Sequence, residues 1–110
     1  MDRMLRVNSL LKETIAEIIF TKTKDPRVRM LSIHDVKASK DLRYAKVFYG
    51  VLNPAEKLIT QQGLEKATPF IQKELGKLVK MRFTPKLKFI FDDSIEKGDK
   101  IFRLLRNIKN

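Results

Sequence analysis

Four carboxylates near the C-terminus, Asp92, Asp93, Glu96 and Asp99, form the densest group of residues that could attract a hard cation or move protons in hydrolysis. Asp93 with Glu96 also has the spacing of a capping box, and helix capping with surface solvation is the preferred reading. His34 is the single histidine. It lacks a cysteine, a second histidine or a Ser-centred turn motif as company, so a sheet-surface or loop position is expected. No catalytic residue, metal site or cofactor is assigned. A small nuclease or metal-dependent hydrolase working through the C-terminal carboxylates is the reading that a metal requirement would favour.

Cations offer more. Lys73, Lys77 and Lys80 fall on one face of a helix by spacing and continue to Arg82, which would present a row of charges to phosphates. Lys40 and Arg43 in a hairpin, and Arg3 and Arg6 on the first helix, are second-choice phosphate contacts. Tyr44, Lys46 and Phe48 interleave basic and aromatic side chains as base-stacking platforms do, although packing against the terminal segments is the preferred expectation for the two rings. Over the 110 residues, Lys and Arg number 24 against 13 Asp and Glu, a formal charge of +11. That excess points to a polyanion, because every phosphate neutralised releases condensed counterion. A protein-interaction module whose charge serves only solubility is the alternative, and RNA affinity indifferent to salt would identify it.

These residues need elements to hold them. Met4, Val7, Leu11, Ile15 and Ile18 recur at three- and four-residue steps, predicting a helix from an Asp2 cap to about Lys22, before Asp25-Pro26. Leu31 and Ile33 share one parity and Val36 and Ala38 the other, as an inserted bulge residue would cause. A second strand alternates through Ala45, Val47, Tyr49 and Val51, with Ser39-Lys40-Asp41-Leu42 as the hairpin loop. Asn53-Pro54-Ala55-Glu56 starts a helix with Leu58, Ile59, Leu64 and Ala67 on its buried side. Thr68-Pro69 is expected to end it and begin another that buries Phe70 or Ile71, Leu75, Leu78 and Val79. Leu87, Phe89 and Phe91 face inward from a third strand, and Ile101, Leu104, Leu105 and Ile108 suggest a short amphipathic helix.

The expectation is therefore one α+β domain spanning residues 1–110, in the order αββααβ with a C-terminal helical turn or two. Hydrophobic residues make up 43% of the chain, enough for a single core. There is no cysteine, which excludes disulfides and thiolate zinc sites. The N-terminal residues lack the unbroken apolar run of a signal peptide or a membrane span, so a cytoplasmic location without membrane association is expected.

The element order is that of type II KH domains, and the residues resemble a narrower family, the bacterial ribosome-binding factor A proteins. The carriers are Arg6-Val7, Lys24-Asp25-Pro26-Arg27, the run from Ser39 to Val47, Leu64-Glu65-Lys66-Ala67, Phe83-Thr84-Pro85-Lys86-Leu87 and Asp92-Asp93-Ser94-Ile95. This resemblance implies a non-catalytic, monomeric assembly factor. It would bind the immature small ribosomal subunit and its rRNA and assist late rRNA maturation, notably under cold stress, with ribosome-assembly GTPases as further partners. KH domains clamp the nucleic-acid backbone with a Gly-x-x-Gly loop between paired helices. The resembled family shortens it to Ala-x-Gly at an interhelical kink, whereas this chain reads Ala67-Thr68-Pro69. Proline preserves a kink by a different route from glycine. The resemblance thus adds Lys66 and Thr68 to the candidate RNA contacts, beside Lys73, Lys77, Lys80 and Arg82.

Overall fold

The computed structural model describes residues 2–108, without the side chains of Ile95, Glu96, Asp99 and Ile108. Helix α1 runs from Arg3 to Lys22 and is capped by Asp2, whose carboxylate accepts from the Met4 N–H. Leu11, Ile15, Ile18 and Ile19 are its buried residues, close to the predicted stripe. Strand β1 spans Leu31–Ala38 and pairs antiparallel with β2, Tyr44–Val51; their register shifts between Ile33 and Asp35, where the parity change predicted a bulge. Strand β3, Lys86–Phe91, lies parallel to β2, giving the sheet order β1-β2-β3. A parallel neighbour requires a crossover, and helix α2, Lys57–Leu78, supplies it.

The sequence-based expectation needs correction along this crossover. The expected two helices are one hydrogen-bonded helix with Pro69 in its interior, so the order is αββαβα. Proline leaves the carbonyl four residues back without a donor, which can kink a helix without ending it. The first turn is also tighter than expected: Pro54–Glu56 form a 3-10 turn capped by Asn53, which accepts from the Ala55 N–H. The buried line is Thr60, Gly63, Leu64, Ile71 and Leu75. Leu58 and Ile59 are instead exposed, because they lie well round the helix from that line, and Leu78 is exposed at the helix end. Ile71 rather than Phe70 faces inward.

The core joins one face of the sheet to α1 and α2: Val36, Ala45, Val47 and Tyr49 meet Leu11, Ile15, Ile18, Leu64, Ile71 and Leu75. Phe89 and Phe91 are only partly buried and pack against this cluster from the edge strand. Their rings meet Tyr49 edge-on at 6.5 and 5.8 Å between centroids. A 3-10 turn at Pro26–Val28, which carried no apolar period of its own, inserts buried Val28 beneath α2. Gly63 permits this approach, since a Cβ there would lie 2.9 Å from the Arg27 Cβ. Helix α3 extends from Ser94 to Ile108, longer than the turn or two expected, and Ile101, Phe102, Leu104 and Leu105 on it are exposed.

Candidate nucleic-acid interface

Helix α2 ends at Leu78, and Val79 is already extended, its N–H closing onto the Leu75 carbonyl. Lys80 and Arg82 consequently lie on the non-helical link to β3, not on a helix face shared with Lys73 and Lys77. The link brings them to the opposite end of α1. Val79, Lys80, Met81 and Arg82 line a groove of about 390 Å³ together with Arg3, Val7, Leu10 and Leu11 from α1 and Leu42 from the β1–β2 hairpin. Two patches that were separate in the sequence therefore merge.

The hairpin is built for this position. The Ser39 N–H donates to the Tyr44 carbonyl at 2.8 Å and the Leu42 N–H to the Ser39 carbonyl at 2.9 Å. The Asp41 carboxylate accepts from the Ser39 hydroxyl and the Arg43 N–H, which hold its pKa below the usual value. Leu42 carries a φ of 60°, a left-handed conformation that costs a non-glycine residue about 1–2 kcal/mol and places this side chain in the groove wall. Next to it, the Arg43 carbonyl accepts from the Lys86 N–H at 2.8 Å, tying the hairpin to the start of β3. The guanidinium groups of Arg43 and Arg82 lie 5.3 and 5.5 Å from the Phe83 ring centroid. Phe83 is 49% exposed, so its ring remains accessible between two cations. Arg6 is exposed one turn along α1 from Arg3, and Lys40 is exposed in the hairpin loop. None of these six cations joins an ion pair among the described residues.

Lys66, Lys73 and Lys77 occupy a different place, a stripe along α2 that also contains exposed Phe70. Lys66, Ala67 and Phe70 line a depression of about 380 Å³ with Lys22, Thr23, Lys24 and Asp25 from the far end of α1. That end is about 30 Å from Arg3, given a rise of about 1.5 Å per residue. Charge here is partly compensated: Glu74 receives Lys22 at 3.6 Å and Lys77 at 3.7 Å, and Arg27 holds the Asp25 carboxyl down at about 2. Thr68 turns its hydroxyl back to the Leu64 carbonyl at 2.6 Å. It borders a third hollow, between α2 and β3, with Gln61, Glu65 and Lys88.

Sequence reasoning missed the contacts of His34. Its Nε2 lies 3.0 Å from the Ser32 hydroxyl and its Nδ1 2.8 Å from the Asp92 carboxylate. The shared parity of Ser32 and His34 was a visible signal; nothing pointed to Asp92, 58 positions away from the histidine. Gly50 makes the reach possible, because a Cβ there would lie 2.6 Å from the imidazole Cε1. The line Ser–His–Asp has the order of a hydrolytic relay, but a relay also needs donors placed for an oxyanion. Here Ser32 sits on an edge strand, and the second Asp92 oxygen accepts from the Ser94 N–H at 3.0 Å, at the start of α3. The group acts as a clasp between β1 and α3. Asp92 thus holds the first N–H of α3. Asp93 lies 3.3 Å from Lys97, and the side chains of Glu96 and Asp99 fall outside the described residues.

The clasp has a pH signature. Hydrogen bonds from His34, then Ser94, lower the Asp92 pKa to about 2 from an ordinary 3.8. A lowered folded-state pKa gives stability that is complete above about pH 4 and lost as the pH falls through about 2. Asp92→Asn is expected to flatten the fall in unfolding midpoint between pH 5 and pH 2. An unchanged acid limb would remove Asp92 from the account. Both partners are about a quarter exposed, at 26% and 25%, so solvent screening keeps the effect modest.

Comparison with known proteins adds an independent line. The sequence profile of the ribosome-binding factor A family matches residues 3–105. Ribosome-binding factor A of Halothermothrix orenii is 45% identical over 109 residues, covering 98% of this chain and 89% of that protein. The same factor from Dictyoglomus thermophilum is 47% identical over 109 residues, covering 97% of this chain and 91% of the relative. Among solved structures, the crystal structure of ribosome-binding factor A from Thermus thermophilus superimposes with a TM-score of 0.71 at 27% identity, covering 81% of this chain and 96% of that one. A homology model of the Thermus thermophilus factor, fitted into a cryo-EM map of its 30S complex, gives a TM-score of 0.64 at 28% identity, covering 78% of this chain and 91% of the other.

Proposed function

The chain belongs to the ribosome-binding factor A family, and on that premise we propose that it binds the immature small ribosomal subunit and its rRNA and assists late rRNA maturation, including under cold stress. The observation that carries this reading is the convergence of Arg3, Lys80 and Arg82 on one groove, with Arg43 joined to Arg82 over the Phe83 ring. Clustering like charges that form no ion pair among the described residues opposes folding, and phosphates would relieve the repulsion. Arg6 and Lys40 extend this surface. Lys66, Thr68, Lys73 and Lys77 contribute a second line of contact along α2.

In this reading the protein acts by binding and catalyses no reaction, in keeping with the clasp geometry of Ser32, His34 and Asp92. Residues 1–110 work as a single KH-like RNA-binding unit, monomeric and cytoplasmic, with ribosome-assembly GTPases as further partners. Among the described residues no helix is long and apolar enough to cross a membrane. Sedimentation of cell extract through a sucrose gradient tests the proposal. The protein is expected with free small subunits at low salt and to leave them as salt rises. Travel with neither small subunits nor ribosomes at low salt would refute it.

A further inference from the structure

We infer that the face of the sheet turned away from α1 and α2 is a second RNA surface, on which unpaired bases stack on Tyr44 and Phe48 while their phosphates meet a row of lysines. This rests on the reading of the chain as an RNA-binding protein. Strand register builds the row: Lys37 of β1 is opposite Lys46 of β2, which is opposite Lys88 of β3. Adjacent strands lie about 4.8 Å apart, so the three lysines stand side by side across the sheet, with Lys88 on the edge strand, where it also borders the hollow beside α2.

Directly opposed like charges destabilise a sheet. Lysines on edge strands can be explained as protection against edge-to-edge pairing, but Lys46 lies on the central strand, where no edge needs protection. None of the three joins an ion pair among the described residues. Asp35, an acid on this face, belongs to the next row, and its carboxylate accepts from the Val36 N–H. Asp92, beyond the strand ends, is held by His34. The lysine row therefore carries a local excess of positive charge that no ion pair among the described residues balances.

Aromatic rings flank the row on either side. Tyr44, two residues before Lys46, is 59% exposed, and its β3 partner is another lysine, Lys86. Phe48, two residues after Lys46, lies between Asp35 and Ile90, with the Lys37 ammonium 5.9 Å from its ring centroid. Tyr44 is exposed and Phe48 half-buried, and rings alternating with cations along one strand are what a single strand of nucleic acid needs: π-faces for bases and charge for the backbone. A duplex, whose bases are already stacked, gains only the charge.

The protein reports on this binding through its own emission. It has no tryptophan and two tyrosines, of which Tyr49 is 2% exposed and Tyr44 is open. A 12-residue oligo-adenylate should quench tyrosine fluorescence in the intact chain. Tyr44→Ala should lower its affinity about tenfold, leaving affinity for a duplex RNA of equal length unchanged. Tyr44→Phe should keep the affinity and lose most of the quenching, a pair of results that a purely structural role for Tyr44 would not produce. Changing Lys37, Lys46 and Lys88 to Ala together should flatten the salt dependence of oligo-adenylate binding by about 2 in log–log slope.

Unchanged affinity and quenching in these variants would overturn the inference. So would a wild-type protein that sediments with small subunits yet ignores the oligonucleotide. A lysine-row defect seen only on subunits would assign the face to a ribosomal protein and also overturn it. Conversely, Tyr44-dependent oligonucleotide binding without subunit association would uphold this surface and remove the ribosomal assignment.

Discussion

Replacing Arg3, Arg43, Lys80 and Arg82 together by Ala is expected to weaken binding to small subunits on the order of 100-fold, each exposed charge contributing up to about 1 kcal/mol. The slope of log affinity against log salt should fall by about 3, at about 0.7 for each phosphate of single-stranded RNA that is no longer neutralised. The reason is geometric: these four side chains come from α1, the hairpin and the α2–β3 link, yet Arg3, Lys80 and Arg82 line one groove and Arg43 meets Arg82 over Phe83. Folding should be affected little, because removing like charges from a crowded surface relieves repulsion and leaves the core untouched. Lys97 and Lys100 on α3 serve as the control, and their replacement should change the slope less. Equal affinities and slopes for the fourfold variant and the wild type would move the interface elsewhere, first to the Lys66–Lys77 stripe of α2.

Leu64→Ala should produce the largest loss of stability. Leu64 is 1% exposed in the cluster that joins α2 to the sheet. Truncating such a leucine removes its transfer free energy and leaves a cavity, at a cost of about 2–5 kcal/mol. In a domain of this size that corresponds to a fall in melting temperature of roughly 10 °C or more. Leu104→Ala on α3, where the side chain is 55% exposed, should stay within about 0.5 kcal/mol. Denaturant unfolding of the two variants provides the comparison. A Leu64 effect below about 1 kcal/mol would mean that α2 is not seated on the sheet through this residue, and the crossover would need to be redrawn.

The binding and the stability arguments depend on different parts of the chain, and those parts were not equally legible. Periodic and capping signals are local, and they located α1, the bulged β1, β2, β3 and the start of α2 without reference to any partner. The Ile33–Asp35 irregularity is the best example, since a change of parity within eight residues is enough to require an extra residue in one strand. Local signals failed where rotation or continuity was decided by packing. Leu58 and Ile59 are apolar, yet the line through Thr60, Leu64 and Ile71 faces the sheet. Thr68-Pro69 has the chemistry of a helix start, yet the surrounding turns carry α2 through it.

From its residues alone, the chain was determined to be a basic α+β domain whose charge calls for a polyanion, and the motifs from Arg6 to Ile95 pointed to the family. Charge and periodicity are sums over neighbouring positions, so they survive without coordinates. The assembly of the site was a tertiary matter. The β2–α2–β3 crossover sets residues of the forties beside those of the eighties, joins Arg43 to Arg82 over Phe83, and aligns Lys46 with Lys88. It also brings Asp92 to His34 across the space left by Gly50. Contacts between residues some forty or more positions apart depend on which strand the crossover returns to and in what register, and neither is encoded in any local run of sequence.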